Sequence, residues 1–385
     1  MEVLKDGNAK KILFIYGTRP EAIKMAPLIR EFKKHTKNFN VEVCLTGQHR
    51  EMLDKVNSFF GVVADYDLNL MRPNQSLFDI TARCIQGLEP ILKSANPDMV
   101  FVQGDTTSVL AGALASYYMK IPVAHIEAGL RSDNIYSPFP EEINRKIAGQ
   151  ISKYHFAPTE SAAENLRRDG IINNVFVVGN TVIDALKLGL LLVNRKEEVE
   201  YKSFFSNINF SKKIILVTGH RRESFGDGFE NICSAIRKIA LLHPEIEIVY
   251  PLHLNPNIHQ PAIRLLSNFK NIHLLDPLDY PYLIWLMEKS YFVLTDSGGI
   301  QEEAPALGKP VLVMRDVTER MEGVKAGTAR LVGTCMTKII DSVEELLSNS
   351  IIFDQMSHAV NPYGDGKTSE RIVNILFSHF RIKQV

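Results

Sequence analysis

The stretch YFVLTDSGGIQEEAPALGKPVLVM, Tyr291–Met314, predicts a strand, a helix and a second strand in succession. Tyr291–Thr295 and Pro310–Met314 are short apolar runs, as in the strands of a parallel sheet that is covered on both faces. The helical stretch Ile300–Leu307 lies between them and follows Ser297–Gly299. Strand–helix–strand units of this kind build doubly wound α/β domains, so this stretch predicts the fold class.

The same alternation extends through the chain in two series. The first contains helical stretches such as Glu21–Lys33 and Ser76–Leu92, and a polar stretch, Asn194–Lys213, is the best linker candidate before the second. The predicted strands are Lys11–Tyr16, Val41–Leu45, Met99–Gln103, Val123–Ile126, Tyr154–Ala157 and Val175–Val178, then Lys213–Val217, Glu247–Tyr250, Ile272–Leu275, Tyr291–Thr295 and Pro310–Met314. In such sheets ligands bind where loops leave the carboxyl ends of the strands.

The composition excludes several classes of protein. The chain has 385 residues, with 44 Lys plus Arg and 44 Asp plus Glu, so no global field favours nucleic acid or an anionic membrane. Its four cysteines have no metal-ligand spacing, which favours buried thiols and no metal site. The apolar run near the N-terminus is too short for a signal peptide or a spanning helix, so we expect a cytoplasmic protein.

Cations follow the first predicted strand. Gly17 opens a helix with Pro20 near its first position, and Arg19 and Lys24 add positive charge where backbone N–H groups point outward. This arrangement favours anion binding over a merely solvated helix start. The GxGxxG fingerprint is absent, which argues against a bound nicotinamide cofactor.

Carboxyl side chains follow later strands of the first series. Asp105 comes after Gly104 and Glu127 follows the run VAHI, while Glu141 begins a helix beside Glu142. Each one alone suits helix capping or a structural role, and Glu142 is the one we assign to structure. Three carboxyls meeting at one edge of a sheet suit acid–base chemistry, so Asp105, Glu127 and Glu141 are the candidates.

The second series repeats the pattern of a strand, a glycine and then charge. His220 follows Gly219 and can carry a proton or donate to a phosphate, while Arg221 and Arg222 can neutralise phosphate.

The opening stretch supplies a second anion site. Ser297, Gly298 and Gly299 offer backbone N–H groups at a helix start, and Glu303 suits the vicinal hydroxyls of a ribose. Arg320 adds a cation in the loop that follows. The segment NPYGDGKT at 361–368 resembles a phosphate loop, but no strand precedes it, and we set it aside.

Taken together, these motifs resemble the non-hydrolysing UDP-N-acetylglucosamine 2-epimerases over essentially residues 10–380. The motifs that carry the resemblance are GTRPEAIKMAPL at Gly17–Leu28, HIEAGLR at His125–Arg131, FPEEINR at Phe139–Arg145, GHRRESFG at Gly219–Gly226 and TDSGGIQEEAPALGKPVLVMR at Thr295–Arg315.

The resemblance implies two Rossmann-like domains of the glycosyltransferase-B type that face a cleft. We expect an N-terminal domain at 1–185 with the catalytic carboxyls, a UDP-binding domain at 186–368, and a last helix at about 369–385 that packs back on the first domain. A homodimer without cofactor or metal is also implied, with UDP-GlcNAc and UDP-ManNAc as its ligands.

The implied reaction is reversible epimerisation at C2 through elimination of UDP to 2-acetamidoglucal and re-addition, supplying ManNAc units for a surface polysaccharide. The residues implied as catalytic are Asp105, Glu127, Glu141 and His220. Those implied to bind substrate are Arg19, Lys24, Arg221, Leu278, Leu283, Ser297, Gly298, Gly299, Glu303 and Arg320, with the two leucines bounding the uracil-binding stretch LDYPYL.

Two departures from the family pattern change the expectations. Met321 stands where the family commonly has proline, which should loosen the loop that carries Arg320. Glu51 and Asn74 depart from the pattern of allosteric activation by a second UDP-GlcNAc, although Arg222 and His253 fit it.

The alternatives to a non-hydrolysing epimerase are a hydrolysing epimerase that releases free ManNAc, a glycosyltransferase of the same fold, and a nucleotide-sugar sensor without catalysis.

Overall fold

The computed structural model describes residues 9–47, 50–72, 75–195, 198–219 and 221–382. The chain forms two compact units. Unit 1 comprises Met1–Ala185 and Gly364–Val385, and unit 2 comprises Leu186–Tyr363. Each unit contains one sheet whose described strands all pair in parallel, with helices in the connections.

Unit 1 has seven described strands in the order β3-β2-β1-β4-β5-β6-β7. They are β1 Lys10–Tyr16, β2 Phe39–Leu45, β3 Tyr66–Asp67, β4 Met99–Gln103, β5 Val123–Ile126, β6 Tyr154–Ala157 and β7 Val175–Val177. The chain leaves β1 towards β2 on one side and β4 lies on the other, so the order reverses between β1 and β4. This is the topological switch point at which doubly wound sheets bind ligands.

Unit 2 has six described strands in the order β10-β9-β8-β11-β12-β13. They are β8 Ile214–Thr218, β9 Glu247–Pro251, β10 Ile272–Leu275, β11 Phe292–Thr295, β12 Val311–Val313 and β13 Ala329–Leu331. Its switch point lies between β8 and β11, the strand that opens the decisive stretch. The two sheets confirm the predicted fold class.

Helices occupy the connections between these strands. They are α1 Arg19–Phe32, α2 Arg50–Phe60, α3 Leu77–Ala95, α4 Thr107–Tyr118, α5 Glu141–Ile151, α6 Glu160–Arg168, α7 Thr181–Arg195, α8 Val199–Phe204, α9 Asp227–Leu242, α10 Pro256–Leu266, α11 Tyr280–Lys289, α12 Gly298–Glu303, α13 Met321–Ala326, α14 Met336–Ser348, α15 Ser350–Ser357 and α16 Thr368–His379, with 3₁₀ turns at Arg222–Ser224 and Ala304–Leu307. None of them combines the length and apolar composition that crossing a bilayer requires.

Aromatic side chains fill much of the core of unit 1. Phe14 of β1 and Phe101 of β4 stack with ring centroids 5.0 Å apart, and Phe32 of α1 meets both rings edge to face. Phe156 of β6 continues the stack at 6.2 Å from Phe101. Helix α16 closes this layer, because Phe377 contacts Phe39 of β2 at 5.1 Å. These contacts hold neighbouring strands of the sheet together.

The linker prediction for 194–213 is wrong. Within this stretch α8 forms, and Tyr201 and Phe205 are buried against Trp285 of α11, with ring centroids 5.9 and 5.3 Å apart. The boundary between the units instead falls inside α7. Because most neighbours of these aromatic side chains are polar, the composition of the stretch does not predict that it packs against the core.

The expectation of buried thiols holds for three of the four cysteines. Cys44, Cys84 and Cys233 are buried, and burial raises the pKa of the Cys84 and Cys233 thiols to about 12. Cys335 is exposed, so the expectation is wrong there. This cysteine precedes α14 as its N-cap residue, where its side chain meets solvent.

Candidate active site

Glu127 is the centre of a buried polar cluster at the carboxyl end of β5. Its Oε1 accepts hydrogen bonds from Lys24 Nζ at 2.5 Å and from Asn180 Nδ2 at 3.1 Å. Its Oε2 accepts from Gln103 Nε2 at the end of β4. The residue is 8% exposed. A carboxylate in such a place is stable only when its hydrogen bonds and a cation compensate for the lost solvation.

The backbone at Glu127 adopts an unusual conformation. Its φ of +61° lies in the left-handed region, which a non-glycine residue occupies at a cost of about 1–3 kcal/mol. Gly129 follows with φ +91°, and a Cβ there would lie 2.1 Å from the carbonyl oxygen of Ala162. The chain therefore turns tightly after β5 and holds the Glu127 carboxylate at the sheet edge.

Asp105 belongs to a second cluster that ties β4 to α5. Its Oδ2 accepts from Arg145 Nη2, and its backbone carbonyl accepts from Asn144 Nδ2 at 2.9 Å. The same Arg145 donates through Nη1 to Glu142 Oε2 at 2.9 Å, which also accepts the Ser132 N–H at 3.0 Å. Glu142 is fully buried, whereas a quarter of the Asp105 side chain is exposed. Glu142 thus fixes Arg145, and Arg145 orients Asp105.

Glu141 starts α5 directly beside this cluster and is half-buried. Among the described residues no hydrogen bond or ion pair involves its side chain. The structure therefore places Asp105, Glu127 and Glu141 at the carboxyl ends of β4 and β5 and at the helix start that follows. Of the three, Glu127 and Asp105 are held by cations.

Glu21 is an organising residue that the sequence reasoning did not single out. It is 2% exposed, and its Oε2 accepts the N–H groups of Gly17 and Thr18 at 2.9 and 2.7 Å. Its Oε1 accepts from Thr106 Oγ1 at 2.5 Å, which joins the loops after β1 and β4. Burial raises the pKa of Glu21, and these hydrogen bonds oppose that effect. The Thr-x-x-Glu spacing of a capping box is the signal that reveals it.

Gly17 itself is required by packing, since a Cβ there would lie 1.8 Å from Thr46 Oγ1. Arg19 follows at the first residue of α1 and is half-buried.

His125 supports the loop after β4 from below. Its Nε2 lies 2.7 Å from the carbonyl oxygen of Gly104, which can only accept, so Nε2 is the protonated nitrogen. The ring is completely buried, and burial lowers the pKa of His125 to about 4. The imidazole is therefore neutral near pH 7 and acts as a structural donor.

In unit 2 the loops after β8 and β11 are joined at the switch point. Thr218 and Thr295 pair through their hydroxyls at 2.6 Å, and the buried Asp296 accepts the Arg221 N–H through Oδ2 at 2.8 Å. Ser297 precedes α12, whose first residues are Gly298 and Gly299. The three candidate phosphate-binding residues thus lie beside Arg221.

Three arginines surround Glu319, and we call this group the Glu319 cluster. Arg315 Nη1 donates to Glu319 Oε2 at 2.8 Å, while Arg320 Nη1 and Arg221 Nη2 lie 3.3 and 4.0 Å from Oε1. Burial alone would raise the pKa of Glu319, but Arg320, Arg315 and Arg221 lower it to about 2. Arg315 also contacts Glu223, at 2.5 Å from Nε. The cluster is a dense group of cations beside the start of α12.

Arg320 is fixed within this cluster by unit 2 itself. Its Nε donates to the buried Glu302 at 2.8 Å, and its carbonyl accepts from Tyr363 at 3.0 Å. The Tyr363 hydroxyl also accepts the Gly323 N–H at 3.0 Å, and Asn361 Nδ2 donates to the Glu302 carbonyl at 3.0 Å. The segment NPYGDGKT, which resembles a phosphate loop, thus braces the Arg320 loop here. That Met321 loosens this loop relative to proline stays a prediction.

The residues assigned to the nucleoside lie around Glu303. Its Oε1 accepts from the hydroxyl of Tyr280 at 2.7 Å, and both residues are buried. Leu278 is buried before α11, and Leu283 is half-buried within it. Tyr280 lies inside the stretch to which the uracil contacts were assigned.

Some predicted site residues fall outside the described residues. These are His220 and, from the allosteric pattern, Asn74. Within the ranges that are described, no group of three or more His, Cys, Asp or Glu residues is arranged to hold a metal ion.

Two doubly wound units, each with charged residues at its switch point, form an architecture of the glycosyltransferase-B type. The profile of the family described as UDP-N-acetylglucosamine 2-epimerase matches residues 30–377. A UDP-N-acetylglucosamine 2-epimerase from Escherichia coli (strain K12) is 53% identical over 369 residues, covering 95% of this chain and 98% of the relative. The chain belongs to the UDP-N-acetylglucosamine 2-epimerase family.

Solved structures agree with this assignment. The UDP-GlcNAc 2-epimerase from Neisseria meningitidis, bound to UDP-GlcNAc, is 49% identical with a TM-score of 0.90, covering 96% of this chain and 100% of that chain. The enzyme from Methanocaldococcus jannaschii, in complex with UDP-GlcNAc and UDP, is 36% identical with a TM-score of 0.80, covering 96% of this chain and 99% of that chain.

Proposed function

We propose that this UDP-GlcNAc 2-epimerase interconverts UDP-GlcNAc and UDP-ManNAc without hydrolysis, by eliminating UDP and adding it back. The observation that carries this proposal is Glu127 at the carboxyl end of β5. Its backbone is strained, and its carboxylate pairs with Lys24 at 2.5 Å. Membership of the family supports the substrate.

The reaction needs a base at C2 of the sugar. The base takes the C2 proton, the electron pair of the C2–H bond forms the C1–C2 double bond, and UDP departs with the electron pair of the C1–O bond. The proton returns to the opposite face of C2 when UDP adds back. Because the C2 proton is barely acidic, a positioned carboxylate and a stabilised leaving group must act together.

Glu127, Asp105 and Glu141 are the groups to which we assign proton removal and return. Lys24 forms an ion pair with Glu127, and Arg145 forms one with Asp105, so a cation orients each of these two carboxylates. Glu141 lies beside them without a cation of its own among the described residues, which suits a group that alternates between protonated and ionised forms. We assign His220 to proton transfer near the glycosidic oxygen.

Unit 2 is the part of the chain that we propose holds UDP. Arg221, Arg320 and the backbone of Ser297, Gly298 and Gly299 bind the diphosphate, with Arg19 and Lys24 contributing positive charge from unit 1. Glu303, oriented by Tyr280, accepts the ribose hydroxyls, and the stretch Leu278–Leu283 contacts the uracil.

Proton NMR of the reaction with UDP-GlcNAc tests this proposal. The expected result is a mixture of UDP-GlcNAc and UDP-ManNAc that stays constant after equilibrium. Accumulation of free ManNAc and UDP would show the hydrolysing reaction instead. Binding of UDP-GlcNAc without any product would show a sensor.

We also propose that the enzyme is a cytoplasmic homodimer that supplies ManNAc units for a surface polysaccharide. The dimer is tested by light scattering, in which the expected mass is twice the chain mass of 43.4 kDa. A single-chain mass at working concentration would reject it.

A further inference from the structure

Glu319 occupies the position of an anion among the guanidinium groups of unit 2. It is bonded to Arg315 and lies near Arg320 and Arg221, two residues to which we assign the diphosphate of UDP. A phosphate oxygen that binds these arginines meets a carboxylate already in contact with them. The two anions therefore compete for the same cations.

The cations are fixed more firmly than the carboxylate. The Arg320 side chain is 13% exposed and is bonded to Glu302, which is 2% exposed. The Glu319 side chain is 34% exposed, and its described side-chain partners all belong to the Glu319 cluster. An exposed carboxylate can rotate into water at little cost, whereas moving Arg320 would break its contact with the buried Glu302.

Arg221 provides a second, independent observation. Its Nε is buried and has no hydrogen-bond partner among the described residues, and its Nη2 lies 4.0 Å from Glu319, beyond hydrogen-bond distance. A guanidinium group carries five N–H donors, and none of those of the Arg221 side chain has an acceptor within hydrogen-bond distance on Glu319. A diphosphate brings more acceptor oxygens than a carboxylate.

We propose that Glu319 is a displaceable counter-ion, which neutralises the arginines of unit 2 in the ligand-free enzyme and is replaced by the phosphates of the ligand. This inference rests on the proposed binding of UDP by unit 2. Its consequence is that Glu319 weakens the binding of UDP and so promotes its release. Removing the charge of Glu319 therefore strengthens the binding of UDP, whereas the loss of a contact that only supports the fold would weaken it.

Calorimetric titration of UDP and of uridine into the enzyme and its Glu319→Gln variant tests the proposal. We expect the variant to bind UDP about five- to tenfold more tightly at low salt, with less gain at high salt, since one repulsive charge near the phosphates is removed and salt screens it. Uridine has no phosphate, so its Kd should not change. Glu223→Gln is the matched control, because among the described residues Glu223 contacts Arg315 but neither Arg221 nor Arg320. Its effect on UDP binding should stay below about twofold.

Equal or weaker UDP binding by Glu319→Gln would overturn the proposal. If that variant does not fold, a crystal structure of the wild-type enzyme with UDP decides. Glu319 should then have left Arg320 and Arg221, and a carboxylate that stays in contact with both beside bound UDP would overturn the proposal. A wild-type enzyme that binds no UDP contradicts the proposed function itself, whereas wild-type binding without a gain in the variant contradicts this inference alone.

Discussion

Unit 1 places carboxylates at the carboxyl ends of β4 and β5, whereas unit 2 gathers guanidinium groups in the loops after β8 and β12. In unit 1, Lys24 forms an ion pair with Glu127, and Arg145 forms one with Asp105. In unit 2, Arg320 forms ion pairs with Glu302 and Glu319. The same backbone plan thus presents carboxylates in one unit and guanidinium groups in the other.

The difference explains how one reaction can divide its chemistry between two similar units. Breaking a C–H bond requires a carboxylate whose charge and direction are fixed before the substrate arrives. Retaining UDP requires cations and N–H groups that compensate for its charge. A variant at one switch point should therefore change turnover, and a variant at the other should change affinity.

The largest expected effect is on turnover in unit 1. Glu127→Gln keeps the size of the side chain but replaces one acceptor oxygen with an NH₂ group and removes its basicity, so kcat should fall by about 10²–10⁴-fold. UDP affinity should change by less than about twofold, which calorimetry measures beside the NMR assay. Glu42→Gln, in β2 of the same sheet, is the control and should keep wild-type turnover. Full activity in Glu127→Gln would remove this residue from the catalytic set.

The next effect is on stability and separates two adjacent glutamates of α5. Glu142→Ala leaves Arg145 and the Ser132 N–H without their buried partner, so the free energy of unfolding should fall by about 3–5 kcal/mol. Glu141→Ala is the matched control and should cost less than about 1 kcal/mol. Urea denaturation measures both. Equal costs would mean that the buried network does not stabilise unit 1.

The sequence predicted the strands well because buried parallel strands are short apolar runs. Met99–Gln103, Val123–Ile126 and Tyr154–Ala157 have the predicted bounds. It missed β3 and β13, which have only two and three residues and no apolar run of their own. The error at 194–213 has another cause, since the aromatic partner Trp285 lies some eighty residues further along the chain.

The candidate site was predictable in position but not in its partners. Residues after strands meet at one sheet edge, so the location of Glu127 and Asp105 follows from the alternation alone. The pair between Lys24 and Glu127 spans 103 positions in the sequence and exists because β4 lies between β1 and β5. The Glu319 cluster likewise joins loops after β8 and β12, and single motifs do not reveal such neighbours.

A smaller effect concerns pH and is confined to unit 1. The pKa of His125 is about 4 when folded, below its ordinary value of 6.5, so the unfolded chain binds the extra proton between these values. The folded protein keeps the full stability of the neutral, buried His125 above about pH 6.5. It loses this stability as the pH falls towards 4, because the unfolded chain then binds a proton that the folded chain does not. Between pH 7 and pH 5 the wild-type protein should lose about 2 kcal/mol more stability than His125→Gln. Urea denaturation at the two pH values measures this, and parallel losses would contradict it.

The smallest expected effect returns to unit 2. Arg320→Lys keeps the charge but loses the forked contact with Glu302 and Glu319, so UDP binding should weaken by about ten- to thirtyfold. Arg330→Lys is the control and should leave UDP affinity unchanged. Arg330 lies in β13 and pairs with Glu345. A fall in kcat at unchanged UDP affinity would break the proposed division between the units.

Solvent exchange at C2 tests the central claim most directly. With the enzyme in deuterium oxide, we expect deuterium at C2 of both UDP-GlcNAc and UDP-ManNAc, entering no more slowly than the epimers interconvert. Glu127→Gln, which should still bind UDP, is expected to lose exchange and epimerisation together. Interconversion of the epimers with protium retained at C2, or exchange at the wild-type rate in Glu127→Gln, would contradict the assignment of proton transfer to the carboxylates of unit 1.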